Sequence, residues 1–230
     1  MKKENTSLDT RYALKYSRVL KQNKVKKRYF YSIKKNRLLY KLEVFRMALF
    51  LNKLIPRNKK LVLLCIGSNN MVGDMLGPYS GSIIERCCDT LTVYGTSLFP
   101  VNATNLHQYV ELLYTKHRED FILAIDACAS HHKVGTVIVS NRPIKPASAC
   151  EFPCGIASVG NASIKGTSGR NFGDIQKVCA CDDAANFTPV FVAESVLMYY
   201  GVIRGEKLLN TEFEEEENLL QKKRAEKNIR

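Results

Sequence analysis

Two short apolar runs, each followed by a carboxylate, most narrowly limit how this chain can fold. The first is Leu61-Val62-Leu63-Leu64-Cys65-Ile66, which stops at Gly67. It is brief and shows no alternation, as expected of a strand buried on both faces of a parallel sheet. A polar turn follows, Ser68-Asn69-Asn70, and then Gly73-Asp74. Asp74 occupies the place of a helix N-cap, with Pro78 in the first turn and an apolar stripe of Leu76, Ile83 and Ile84 behind it. The second run, Phe121–Cys128 (FILAIDAC), carries Asp126. Strand, turn and helix in that order put both aspartates at the carboxyl edge of one sheet, where open α/β folds bind ligands.

The stretches between these anchors read as alternating strands and helices. A helix is expected near 75–88, a strand over Thr92–Thr96, a helix from Asn105 to about His117, and a strand or hairpin over Gly135–Ser140. Residues 141–186 are dense in Gly and Pro and predict turns with a short strand around Ala157–Ile164. A helix from Pro189 to Tyr200 is apolar almost all round and should pack as the last covering layer. The implied fold class is α/β, with helices on both faces of a mainly parallel sheet.

Charge divides the chain. Residues 1–60 hold 19 Lys and Arg against 3 Asp and Glu, a net of +16, while residues 61–205 have a net of −2 and residues 206–230 a net of −1. The bland reading of residues 1–60 is a solvated, partly helical extension, with a helix from Leu38 to Leu54. The sharper reading is a basic arm for nucleic acid, an acidic partner or an anionic surface. The lysine-rich start has no apolar h-region, so no secretory signal is expected. Phe45–Ile55 is broken by Arg46 and Lys53 and is too short to span a bilayer. A cytoplasmic, reducing setting with free thiols follows for the eight cysteines. Neither Cys150-x3-Cys154 nor Cys179-x-Cys181 has the spacing of a zinc pair.

Two carboxylates at one sheet edge can share a proton and work on a water molecule, or ligate a divalent ion through oxygen. Each aspartate alone is as well explained by capping or by tying down a loop. Their matching strand-end positions favour function. His131 and His132 follow Asp126 closely and could ligate or act as bases, although exposure is the simpler account. His107 and His117 read as helix-surface residues. There is no G-x-S-x-G elbow and no phosphate loop.

The segments GSNNMVGDMLGP, VYGT, AIDAC, NRPIKP and SVGNASI resemble the YyaC family of sporulation proteins, held to be spore proteases. The likeness covers roughly residues 61–201. That family in turn is similar to the germination protease of spore formers and to hydrogenase maturation endopeptidases. The resemblance implies a three-layer αβα fold with a mainly parallel sheet, preceded here by the basic N-terminal arm. Gly73-Asp74-Met75-Leu76-Gly77-Pro78 matches a D-x-L-G-P segment that carries one catalytic aspartate, and Ile125-Asp126-Ala127 a V-D-A segment that carries the other. In the hydrogenase maturation enzymes two acids and a histidine bind nickel. That histidine has no counterpart here, and no metal or cofactor is assigned. Where the family has V-G-D, this chain has Val159-Gly160-Asn161, and the asparagine cannot act as a base.

The resulting expectation is an aspartate-dependent endopeptidase of sporulation or germination in which Asp74 and Asp126 activate water. Its partner is a protein substrate such as small spore proteins, and its place the forespore or spore core. The alternative is an inactive peptidase-like binding or regulatory protein whose arm holds DNA or an acidic partner. The expected division is a basic extension over 1–60, a peptidase-like domain over 61–204 and a charged tail over 205–230.

Overall fold

The computed structural model describes residues 28–32, 37–145, 158–179 and 183–209. Six strands form one sheet: β1 (Arg28–Ser32), β2 (Leu61–Cys65), β3 (Thr92–Tyr94), β4 (Phe121–Ala129), β5 (Thr136–Ser140) and β6 (Ala162–Gly169). Their spatial order is β1-β5-β6-β4-β2-β3. Strands β3, β2, β4 and β6 pair in parallel, whereas β5 is antiparallel to both β6 and β1. The α/β reading with a mainly parallel sheet therefore holds. All five residues of β2 are buried, in keeping with a strand covered on both faces.

Helices α1 (Arg37–Leu54), α2 (Leu76–Cys87) and α5 (Asp183–Leu197) lie on one face, and α3 (Leu106–Lys116) on the other. A short helix, α4 (Phe172–Gln176), follows β6, and α5 runs on into a π-helical turn, Met198–Ile203. The larger core joins Leu61, Leu63, Leu123, Ile125 and Ile164 to Met47 and Leu51 of α1, Ile84 of α2 and Phe191 and Val196 of α5. The smaller core sets Val62, Leu64 and Ile66 against Leu106 and Leu113 of α3, with Ile122 at its margin.

Several local expectations are corrected. Asp74 is not the cap of α2. It ends a 3-10 turn, Val72–Asp74, and Met75 stands at the N-cap with no side-chain bond to the helix. The last strand begins at Ala162 and not near Ala157, and α5 starts six residues before Pro189. Proline inside a helix removes one backbone bond. Here the contact of α5 with α2 holds the helix together, and the Ser80 hydroxyl donates to the Pro189 carbonyl at 3.1 Å. The helix expected over Leu38–Leu54 exists as α1, but it is no solvated extension. Val44, Met47, Ala48, Phe50 and Leu51 are all buried. Residues 146–157 and 180–182, which include Cys150, Cys154 and Cys181, lie outside the described residues, as do 1–27 and 210–230.

Candidate functional site

The loop that carries Asp74 is held mainly by backbone, helped by Asn69 donating to the Ser97 carbonyl and by the Asn70 amide donating to the Ser68 hydroxyl. The Ile66 amide donates to Ile125 O at 2.7 Å and the Gly67 amide to Val101 O at 2.8 Å, which fixes the exit of β2. The Ser68 amide donates to Asp74 O at 3.2 Å, and the Asp74 amide to Met71 O at 2.9 Å. Gly67 has φ near 151° and packs so closely on the Asp74 carbonyl that a Cβ there would collide with it. Gly77 in the first turn of α2 is pressed in the same way against the backbone of Ile66. These two close approaches bring the 3-10 turn down onto the sheet edge.

Asp126 comes from the centre of the sheet, and it does not end its strand as expected: β4 runs on to Ala129, with Asp126 paired inside the ladder and near enough to Asp74 to feel its charge. Side chains alternate along a strand. Leu123, Ile125 and Ala127 belong to the larger core, so Asp126 shares its face with Ile122, on the α3 side. Its register partner on β6 is Lys165. Ala162 and Ile164 point into the larger core, so Lys165 stands on the same face as Asp126. Both side chains are partly buried.

The electrostatics couple the two carboxyls. Burial raises Asp74 from the usual carboxylate value to about 6, against a smaller opposing pull from the Ser68 amide. Asp126 is pushed well above its ordinary value, first by burial and then by the charge of Asp74 beside it. Lys165 and the Ala127 amide oppose that shift without cancelling it. The pair is thus divided into a member pushed well above the ordinary carboxylate value, Asp126, and one that titrates near 6, Asp74. Such a division lets one group act as an acid and the other as a base.

The remaining sequence candidates are placed elsewhere. His131 and His132 are exposed, as is His107. His117 is no free surface residue. Its Nδ1 is hydrogen-bonded to Asp120 at 2.8 Å and its Nε2 to the Tyr94 hydroxyl at 2.9 Å, which ties the end of α3 to β3. Cys65, Cys87, Cys88 and Cys128 are free, as expected, but Cys179 is disulfide-bonded, against the expectation of free thiols throughout. Among the described residues no group of three or more His, Cys, Asp or Glu could hold a metal ion. A nickel site of two acids and a histidine therefore does not fit the described residues, and the charge of Lys165, in register with Asp126, would oppose a cation there. Asn161 serves the architecture, since its side-chain oxygen accepts from the Ile122 amide at 2.7 Å, at the opposite end of β4 from Asp126.

A small cleft opens between the 3-10 turn, β6 and the start of α5, lined in part by Gly73, Leu76, Gly166 and Thr188. It lies on the α2 and α5 side, across the sheet from the Asp126 side chain. Lys165 is the residue that sequence reasoning missed. The available signal was a single charge in ASIKGTSG, an otherwise neutral segment of small residues.

Comparison with known proteins agrees with this arrangement in extent. Residues 35–176 match a family described as "Protein of unknown function (DUF1256)". The match begins just ahead of α1 and runs to the end of α4, so it includes both aspartates and Lys165. The chain is 33% identical over 110 residues to a Bacillus subtilis (strain 168) protein described as "Uncharacterized protein YyaC". That alignment takes in 47% of this chain and 53% of the relative, so the chain spans about half the length of the curated relative it matches. No described helix is long and apolar enough to cross a membrane. A family match over more than half its length, with a relative at one-third identity, establishes that the chain belongs to the DUF1256 family, the YyaC family.

Proposed function

We propose that this protein is an aspartate-dependent endopeptidase in which Asp74 and Asp126 together activate a water molecule. One observation carries the reading: two carboxyls meet at one sheet edge, and burial together with the charge of Asp74 pushes Asp126 well above its ordinary value. An ion pair or a loop tie would lower a carboxyl's pKa, but here both are raised. In use, Asp74 is the base that takes a proton from water, and Asp126 is the acid that serves the leaving nitrogen. The resemblance to spore proteases supports small spore proteins as substrates and the forespore as the place of action.

The test is cleavage of fluorescein-labelled casein and of an acid extract of small spore proteins. The full-length chain should cut at least one of the two. D74N and D126N should each lower the rate by about 10³-fold or more. Cleavage that persists in the D74N/D126N double variant would end this reading.

A second reading is favoured by the charge of the N-terminal stretch, which would bind DNA or an acidic partner beside an inactive core. Residues 1–27 alone carry 9 Lys and Arg against 2 acids. Because β1 and α1 belong to the sheet and the core, the informative deletion ends at residue 27. Duplex DNA binding that weakens steeply with salt and is lost in the 1–27 deletion would support this second reading. Binding that survives the deletion would exclude it.

A further inference from the structure

Lys165 brings a positive charge to a strand that carries no other charged residue. On β6 it lies between Asp126 on β4 and Ile138 on β5, in register with both. It is partly buried, yet among the described residues its ammonium makes no hydrogen bond and no ion pair. Its influence is felt only through space, at Asp126 and Cys128. An ammonium without a bonded partner keeps three donors to offer. Neighbouring strands lie about 4.8 Å apart, so the ammonium and the Asp126 carboxyl can reach the two ends of one amide group.

We infer that Lys165 is the third working group of this site, the cation that receives the carbonyl oxygen of the bond being cut. The inference rests on the endopeptidase reading above and deepens it. In that reaction the Asp74 carboxylate takes a proton from water. The water oxygen bonds to the carbonyl carbon, and the π pair of the C=O bond moves onto oxygen. Lys165 donates a hydrogen bond to that oxyanion. The Asp126 acid then gives its proton to the amide nitrogen as the C–N bond breaks, and the oxygen pair re-forms the carbonyl. An acid and an amine leave, and the proton on Asp74 passes to Asp126 to restore the starting state. The strand order β6-β4-β2 places cation, acid and base in sequence along the rim.

Steady-state cleavage of labelled casein and of the spore-protein extract by the full-length chain, K165M, K165R and D126N tests this, with a thermal melt on each variant. K165M should lower kcat by about 10²–10³-fold, the usual cost of losing an oxyanion donor, with KM changed by less than about threefold. K165R should recover at least about tenfold of that loss, since it keeps a donor cation. K165Q replaces K165M, with the same thresholds, if K165M melts well below the parent. An unchanged kcat, or a loss confined to KM, overturns the inference; with D126N inactive, the endopeptidase reading then stands. If the parent cuts neither probe, or D126N cuts as the parent does, the endopeptidase reading falls first and this inference falls with it.

Discussion

Asp74 is held where ionising it costs folding energy. Its carboxyl is raised from 3.8 to about 6, so between these values the folded chain holds a proton that the unfolded chain has lost. Stability therefore falls as pH rises from about 4 to 6 and stays lowered above that window. The shift corresponds to at most about 3 kcal/mol, and partial exposure brings this to on the order of 1–3 kcal/mol. D74N removes the charge and should raise the melting temperature at pH 7 while abolishing cleavage, a combination read by calorimetry beside the casein assay. D126N should behave the same way, because burial and the charge of Asp74 raise its carboxyl too. The cleavage rate of the parent should rise through about pH 6 as Asp74 becomes the base. A rate independent of pH between 5 and 8 would remove Asp74 from that role. At this scale the two aspartates were legible because each follows an apolar run. Lys165 was not, because Gly166, Gly169 and the small residues around it lack the β-branched texture of a strand.

The strand β2 and the helix α2 act on the site as one unit. Gly77 leaves no room for a side chain between the first turn of α2 and the carbonyl of Ile66. G77A should force the helix off the strand at a cost of roughly 1–3 kcal/mol and shift the 3-10 turn that carries Asp74. Urea melts and the cleavage assay should both register it, whereas the same substitution at Gly205, which has open space at its Cβ position but a φ of +83°, should cost about 1 kcal/mol of stability through backbone strain and leave the rate unchanged. Helix α1 matters differently. Leu51 is fully buried in the larger core, so L51A should cost roughly 2–5 kcal/mol in urea melts. A hydrogen bond from Tyr40 to Glu194 and an edge-on contact between Tyr40 and Phe191 fasten α1 to α5. The helical spacing over Leu38–Leu54 was readable in the sequence, but the surface it would meet was not. Lysines surround the stretch, and α1 docks on a helix that comes nearly 130 residues later.

Considered as a whole, the molecule sets its charge apart from its candidate chemistry. The described sheet edge carries two acids and one ammonium, and the strongly basic stretch precedes all three in the sequence. Deleting residues 1–27 should leave the melting temperature within a few degrees of the parent, because the described core begins with β1 and α1. Calorimetry on the truncated chain checks this, and a collapse of the melt would show that those residues contribute to folding. Cleavage should survive the same deletion, since Asp74, Asp126 and Lys165 all lie after residue 60.

By itself the sequence determined the α/β class, the buried character of β2 and the carboxyl-edge position of two aspartates. Hydrophobic runs, glycine turns and helical periodicity are local properties, and they sufficed. Only the tertiary structure decided that β1 closes the sheet beside β5, that α1 belongs to the core, and that Lys165 faces Asp126. Each depends on pairing between segments far apart in the chain: β1 with β5, more than 100 residues on, and β4 with β6 across nearly 40. A strand's register fixes which side chain stands beside which, and register is set by the partner strand, which no local pattern contains.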